Sequence, residues 1–179
     1  MADIILVTGG TRSGKSDYAL QRGEGCAGSH CFIATCKATD PEMMRRVEKH
    51  QQTRSAAIWH TIEEDLYPGR PISAADYDVY LVDCLTLWIS NLMAQCAEQG
   101  RTCGEDYLAA QIAGLLDAVR QIAGTVIFVT NEVGLGVVPE NDIARHYRDL
   151  VGMGNQLIAA QAQEVILVSC GLPLYIKQK

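Results

Sequence analysis

The stretch of this 179-residue chain with the most specific chemistry is Gly9-Gly10-Thr11-Arg12-Ser13-Gly14-Lys15-Ser16. It fits G-x-x-x-x-G-K-[ST] and lies where that pattern requires, after a short apolar run and before a helical stretch. Glycines let the backbone turn so that successive N–H groups face phosphate oxygens, and the helix that follows adds its positive end. In that arrangement Lys15 reaches the β- and γ-phosphates, and the Ser16 hydroxyl ligates Mg2+. A second metal anchor is expected on a neighbouring strand. Asp83 closes the run Val79-Tyr80-Leu81-Val82, which places it at the carboxyl edge of a parallel sheet, where ligands bind. It is the natural carboxylate to hold Mg2+ directly or through water. Capping a helix that begins near Leu85 is the other role open to it. These residues point to nucleotide and phosphoryl chemistry without naming an acceptor.

Three further groups stand out. Asp40-Pro41-Glu42 opens like a helix, with a capping residue, a first-turn proline and an acid at the positive end. Along that helix Arg46, His50 and Arg54 fall four apart, so His50 is expected in a basic row. Cationic neighbours favour neutral imidazole, which is nucleophilic, and they attract polyphosphate. A solvated surface histidine has the same spacing. Next, 131–141 follows a strand ending at Thr130 and carries two glycines and a proline. It is expected as a shaped loop on the same sheet edge as the glycine-rich turn. Finally, Arg145, Arg148, Asp149, Gly152 and Asn155 form a polar stripe at helical spacing, which usually means a solvated face. Gly152 would permit close approach of a partner. Surface roles are expected for His30, His60 and His146, and core or interface roles for Trp59, Trp88 and the methionines.

The elements that must position these residues are legible as alternation. Ile4–Thr8, Cys31–Thr35, Val79–Val82, Val126–Thr130 and Val165–Ser169 are short runs rich in Val, Ile and Leu, as buried parallel strands are. Between them lie helical periods, through Leu108, Ile112, Leu115, Val119 and Ile122 and again through Ile143, Tyr147, Leu150, Val151, Leu157 and Ile158. The pattern predicts an α/β fold, a mainly parallel sheet flanked by helices. After Gly171, Leu172–Ile176 is expected as an antiparallel edge hairpin, and Glu98–Glu105 as an exposed loop. Without linkers or repeats, residues 1–179 are expected to form one nucleotide-binding domain.

Composition narrows the partners. With 15 basic and 21 acidic side chains the net charge is −6, which argues against a nucleic-acid ligand. Seven cysteines cannot all pair, and none makes C-x-x-C. They are expected as reduced thiols, mostly core fillers, in a cytoplasmic protein. Met1-Ala2-Asp3 carries no basic leader, and no apolar stretch reaches the length of a membrane span.

Taken together, the motifs resemble those of the bifunctional adenosylcobinamide kinase / adenosylcobinamide-phosphate guanylyltransferase family of cobalamin assembly. The matching runs are ILVTGGTRSGKS, IAT at 33–35, DPEMMRRVEKHQQTR at 40–54, WHTIEE at 59–64, DCLTLWISNL at 83–92, VTNEVGLGVVPEN at 129–141 and ARHYRDLVGMGNQLIA at 144–159. They span almost the whole chain in family order. The resemblance implies a RecA-like P-loop fold, a homotrimer with sites near subunit boundaries, and two activities. ATP or GTP phosphorylates the aminopropanol hydroxyl of adenosylcobinamide. GMP is then transferred from GTP to that phosphate through a guanylylated histidine, yielding adenosylcobinamide-GDP and pyrophosphate. It further implies that Gly9 to Ser16 bind nucleotide phosphates, that Asp83 supports Mg2+, and that His50 is the nucleophile. Thr35, Cys36, Lys37, Arg54 and Glu63 fall in stretches that contact the guanine nucleotide, and Lys15 and Arg54 would neutralise phosphoryl charge. Some relatives carry two adjacent histidines where this chain has Lys49-His50. The R-V-x-x-H spacing favours His50. A kinase without a covalent adduct, and a nucleotide-responsive switch without a phosphorylated product, are the competing readings.

Overall fold

The computed structural model describes residues 2–37 and 57–178. Seven strands form one sheet: β1 (Asp3–Thr8), β2 (His30–Ala34), β3 (Trp59–Glu63), β4 (Val79–Asp83), β5 (Thr125–Val129), β6 (Glu164–Ser169) and β7 (Leu172–Lys177). Their spatial order is β3-β2-β4-β5-β1-β6-β7. The first six run parallel, and β7 returns antiparallel to β6. The helices among the described residues are α1 (Lys15–Glu24), α2 (Gly69–Ala74), α3 (Leu85–Glu98), α4 (Glu105–Arg120) and α5 (Asp142–Gln161).

The two-residue period of a strand sends alternate side chains to opposite faces, and both faces here are buried. Ile4, Leu6, Ile33, Tyr80, Val82, Val126 and Phe128 pack with the apolar sides of α3, α4 and α5. Ile5, Val7, Phe32, Leu81, Ile127, Val129, Ile166 and Val168 pack with Ala19 and Leu20 of α1. Central strands buried on both sides therefore read as unbroken apolar runs. All six parallel strands end on one edge, and the loops leaving them converge there.

The five expected strands and the C-terminal hairpin are present within a residue or two. β3 and α2 are additions. β3 is a sheet-edge strand whose His60, Thr61 and Glu63 are exposed, so it carries no apolar run to announce it. α2 is only six residues long and holds a proline. Trp59 and Trp88 are core residues, as expected. His30 is not on the surface: it is buried, its Nε2 lies 3.0 Å from the Gly23 carbonyl, and its ring meets Trp59 edge-on. His146 is half-buried, with Nε2 2.7 Å from the Cys103 carbonyl, whereas His60 is exposed and stacks on Tyr77. Cys31, Cys84, Cys96 and Cys103 fill the core as free thiols, Cys26 and Cys36 are half-buried, and Cys170 is exposed. The connection between α3 and α4 is exposed apart from Gly104, which is half-buried, and Cys103, which is buried as an anchor. The expected helix beginning at Asp40, and with it Arg46, Lys49, His50 and Arg54, lies outside the described residues.

Candidate active site

β1 is flanked by β5 and β6, so its end is fixed on both sides. The chain then turns through residues 9–14 and enters α1 at Lys15. Ser13 N–H donates to the Gly10 carbonyl at 3.2 Å. Arg12 and Gly14 adopt left-handed backbone angles, φ 58 and 91, conformations that only glycine takes without strain. A side chain at Gly9 would meet the Val168 carbonyl and the Ser13 hydroxyl. The loop is also tied to its neighbours. Glu132 N–H donates to the Gly9 carbonyl at 3.0 Å, and Gly171 N–H donates to the Ser13 carbonyl at 2.8 Å. Gly14 provides no capping side chain for α1, so the amide donors of its first turn remain for a ligand. The Lys15 ammonium folds over the loop, 3.3 Å from the Gly10 carbonyl, and Ser16 is half-buried beside it.

Asp83 ends β4, two positions from β1 in the sheet. The residue at the N-cap of α3 is Cys84, so Asp83 stands one position before the cap. Lys15 and Asp83 converge electrostatically on the Cys84 thiol. Burial pushes that thiol up to about 11, with the Asp83 carboxylate adding to the rise and the Lys15 ammonium opposing it.

A polar network fixes the ends of these strands. The buried Thr35 hydroxyl accepts from Cys84 N–H and donates to the Cys84 carbonyl, both at 2.8 Å. Thr35 N–H donates to the Asp83 carbonyl at 3.2 Å. The Asn91 amide, on α3, donates to the Thr35 carbonyl at 2.8 Å and the Asp65 carbonyl at 3.0 Å. On the other side the Asn131 amide donates to the Thr86 hydroxyl at 3.1 Å. Asn155, on α5, donates to the Asn131 carbonyl and accepts from the Thr130 hydroxyl at 2.7 Å. Buried hydrogen-bonded chains of this kind rigidify the groups they hold.

The other expected site residues sit further along the edge. Cys36 is half-buried and Lys37 exposed, 3.8 Å from the Asp65 carboxylate. Glu63 is exposed at the end of β3, in register with Ala34. Thr35, Cys36, Lys37 and Glu63 thus form one group. β2 and β3 lie three and four strand spacings from β1, about 14 and 19 Å at ~4.8 Å per strand. The structure sets Lys15 and Ser16 at the start of α1 and Asp83 at the end of β4 on the same sheet edge, joins Asp83 and Cys84 to Thr35 by hydrogen bonds, and places 35–37 beside Glu63.

The 131–141 loop is built, not slack. Glu132 accepts from Gly134 N–H at 2.7 Å, and the Arg148 guanidinium donates to the Gly134 carbonyl. Arg145 donates to the Pro139 carbonyl at 2.9 Å and the Glu140 carbonyl at 2.6 Å, and it pairs with Asp142. The Asn141 side chain caps α5 by accepting from Ala144 N–H at 3.1 Å. The polar stripe expected as a solvated face is therefore largely a clamp: Arg145, Arg148 and Asn155 point into the loop. A Cβ at Gly152 would meet nothing within 4 Å.

Comparison with known proteins is decisive at this point. The family model described as cobinamide kinase / cobinamide phosphate guanyltransferase matches residues 5–176. The Escherichia coli bifunctional adenosylcobalamin biosynthesis protein CobU is 39% identical over 97% of this chain and 99% of its own length. CobP of Pseudomonas aeruginosa, described in the same words, is 38% identical over 99% and 98%. The chain belongs to this family. Among solved structures, a type III secretion ATPase matches with a TM-score of 0.59 at 11% identity, over 97% of this chain and 56% of that one. The RadB recombinase matches with a TM-score of 0.52 at 15% identity, over 92% and 73%. Those likenesses show the fold, that of the RecA-like P-loop ATPases.

Sequence reading assigned no partner to Thr86, Asn91 or Asn155, which the structure shows bonded to the residues at the strand ends. Their signal was present: DCLTLWISNL and GNQLIA contain them, but a helical polar residue reveals a partner only once the strand ends are placed. A hydroxyl and a carboxylate, Ser16 and Asp83, are hard oxygen donors of the kind Mg2+ takes alongside nucleotide phosphates. Among the described residues no group of three His, Cys, Asp or Glu forms a metal cage. Also among the described residues, no helix is long and apolar enough to cross a membrane.

Proposed function

We propose that this chain phosphorylates the aminopropanol hydroxyl of adenosylcobinamide with ATP or GTP, and then transfers GMP from GTP to the resulting phosphate. The observation that carries the kinase half is the glycine-lined turn, fastened to the ends of β5 and β6, with Lys15 over it and Asp83 across from it. The acceptor hydroxyl attacks the γ-phosphorus in line, the bond to the β,γ-bridging oxygen breaks to release the nucleoside diphosphate, and the hydroxyl proton passes to solvent. Gly9, Gly10, Thr11, Arg12, Ser13 and Gly14 present backbone donors to the phosphates, and Lys15 neutralises charge as it develops on the transferring oxygens. Ser16 and Asp83 hold Mg2+, which supplies further charge neutralisation when bound.

In the second half His50 displaces pyrophosphate from the α-phosphorus of GTP, forming a P–N bond. The cobinamide phosphate oxygen then attacks that phosphorus, breaks the P–N bond and restores the histidine. Arg54 neutralises the phosphoryl oxygens, and Thr35, Cys36, Lys37 and Glu63 receive the guanine nucleotide. The clustering of 35–37 with Glu63 supports a nucleotide locus distinct from the phosphate loop.

The whole of 1–179 serves as one domain, through which a single sheet runs. We place it in the cytoplasm, acting on small molecules rather than nucleic acid, in keeping with its net charge of −6. A homotrimer is supported by β7, whose six residues are all exposed and include Leu172, Leu174 and Ile176. An apolar outer strand of this kind needs covering.

Mass analysis of the corrinoid after incubation with Mg2+ and ATP tests the kinase half. Wild type should add one phosphate to cobinamide. Lys15→Ala should lower that rate by about a hundred-fold or more, as loss of a charge-stabilising group does. Nucleotide hydrolysis without any phosphorylated corrinoid would contradict the proposal.

A further inference from the structure

A kinase that acts on cobinamide must hold a large macrocycle while a hydroxyl on its side arm reaches the γ-phosphate. From the exposed apolar side chains of the 131–143 segment we infer that Leu135, Val137, Val138 and Ile143 form the seat for the corrin ring of the acceptor. This rests on the cobinamide reading above and assigns it a surface.

Location comes first. The segment leaves β5, the direct neighbour of β1, on the edge where the phosphate loop turns. Its second residue, Glu132, is bonded through its backbone to the Gly9 carbonyl at 3.0 Å. The loop and the phosphate site therefore keep a fixed relation, which an acceptor spanning both requires. Exposure comes second. Leu135 is 85% exposed, Val137 94%, Val138 62% and Ile143 72%. Single apolar side chains on a surface mean little, but four exposed within nine residues of one loop are a concentration that favours a partner. Rigidity is the third point. A loose loop could fold such side chains inward, yet this one is held outward. Arg148 grips Gly134, Arg145 grips Pro139 and Glu140, and Asn141 ties it to α5. A preformed apolar platform loses little freedom when a rigid ring settles on it.

The other exposed apolar patch, on β7, is a poorer seat. It lies on the far side of β6 and ends in an unpaired strand edge, which suits another polypeptide better than a macrocycle.

The test uses the full-length protein carrying both Leu135→Ser and Val137→Ser. These side chains are exposed, so the thermal transition should not move. The inference predicts a KM for cobinamide at least ten-fold higher, with kcat at saturating cobinamide within two-fold and KM for ATP unchanged. Val137→Leu, which keeps the apolar surface, should behave as wild type. An unchanged cobinamide KM in the double variant would overturn the inference while leaving the kinase reading standing. A shift in sedimentation with cobinamide KM unchanged would make the patch a contact between copies and also overturn it. Failure of wild type to phosphorylate cobinamide would overturn both readings, and the two failures are thereby distinguishable.

Discussion

The places of Lys15, Ser16 and Asp83, at the start of α1 and the end of β4, were legible because phosphate chemistry suggests their types and spacing and the strands beside them could be read from their apolar runs. What spacing could not show is the shell behind them. The Thr35 hydroxyl bonds both the N–H and the carbonyl of Cys84, a contact between residues 49 apart. The residue scale also carries a test of how dry this interior is. Cys31 is fully buried on β2, and burial pushes its thiol from 9.0 up to about 12. The folded protein therefore keeps this proton at pH values where the unfolded chain loses it. Its contribution to stability is complete below about pH 9 and is lost as pH rises towards 12. Urea midpoints of wild type and Cys31→Ala should accordingly lie furthest apart at pH 8.5 and draw closer by pH 11. A gap that stays constant would mean that the thiol is not desolvated.

At the scale of elements, the alternation of apolar runs with helical periods identified every central strand, because a strand buried on both faces must be apolar throughout. β3 escaped because an edge strand with exposed polar residues leaves no such trace. The polar stripe on α5 was legible as a stripe but not as a clamp, since its partners are backbone carbonyls of a loop with no fixed pattern. The phosphate loop itself is an element whose shape depends on close approach. A Cβ at Gly9 would collide with the Val168 carbonyl, which is backbone and cannot swing aside, whereas a Cβ at Gly10 meets nothing within 4 Å. Gly9→Ala should lower stability by about 1–3 kcal/mol, as overpacking does, and weaken ATP binding. Gly10→Ala should change stability by less than ~0.5 kcal/mol. Denaturation and nucleotide titration of the two variants side by side check this, and equal effects would refute it.

For the molecule as a whole, one sheet edge has to serve two reactions. The phosphate loop follows β1, while 35–37 and Glu63 lie at the ends of β2 and β3, about 14 to 19 Å away. Family membership establishes a bifunctional lineage. The covalent step is what would separate this protein from a plain kinase. The residue proposed for it, His50, rests on the family resemblance together with its basic row and the R-V-x-x-H spacing, and it belongs to the stretch outside the described residues. The most direct measurement is incubation with Mg2+ and GTP labelled at the α-phosphate, followed by a denaturing gel, on wild type and His50→Asn. The account predicts an acid-labile, base-stable label on wild type that His50→Asn abolishes and that cobinamide phosphate discharges. Label persisting in His50→Asn, or none on folded wild type that binds GTP, would contradict it.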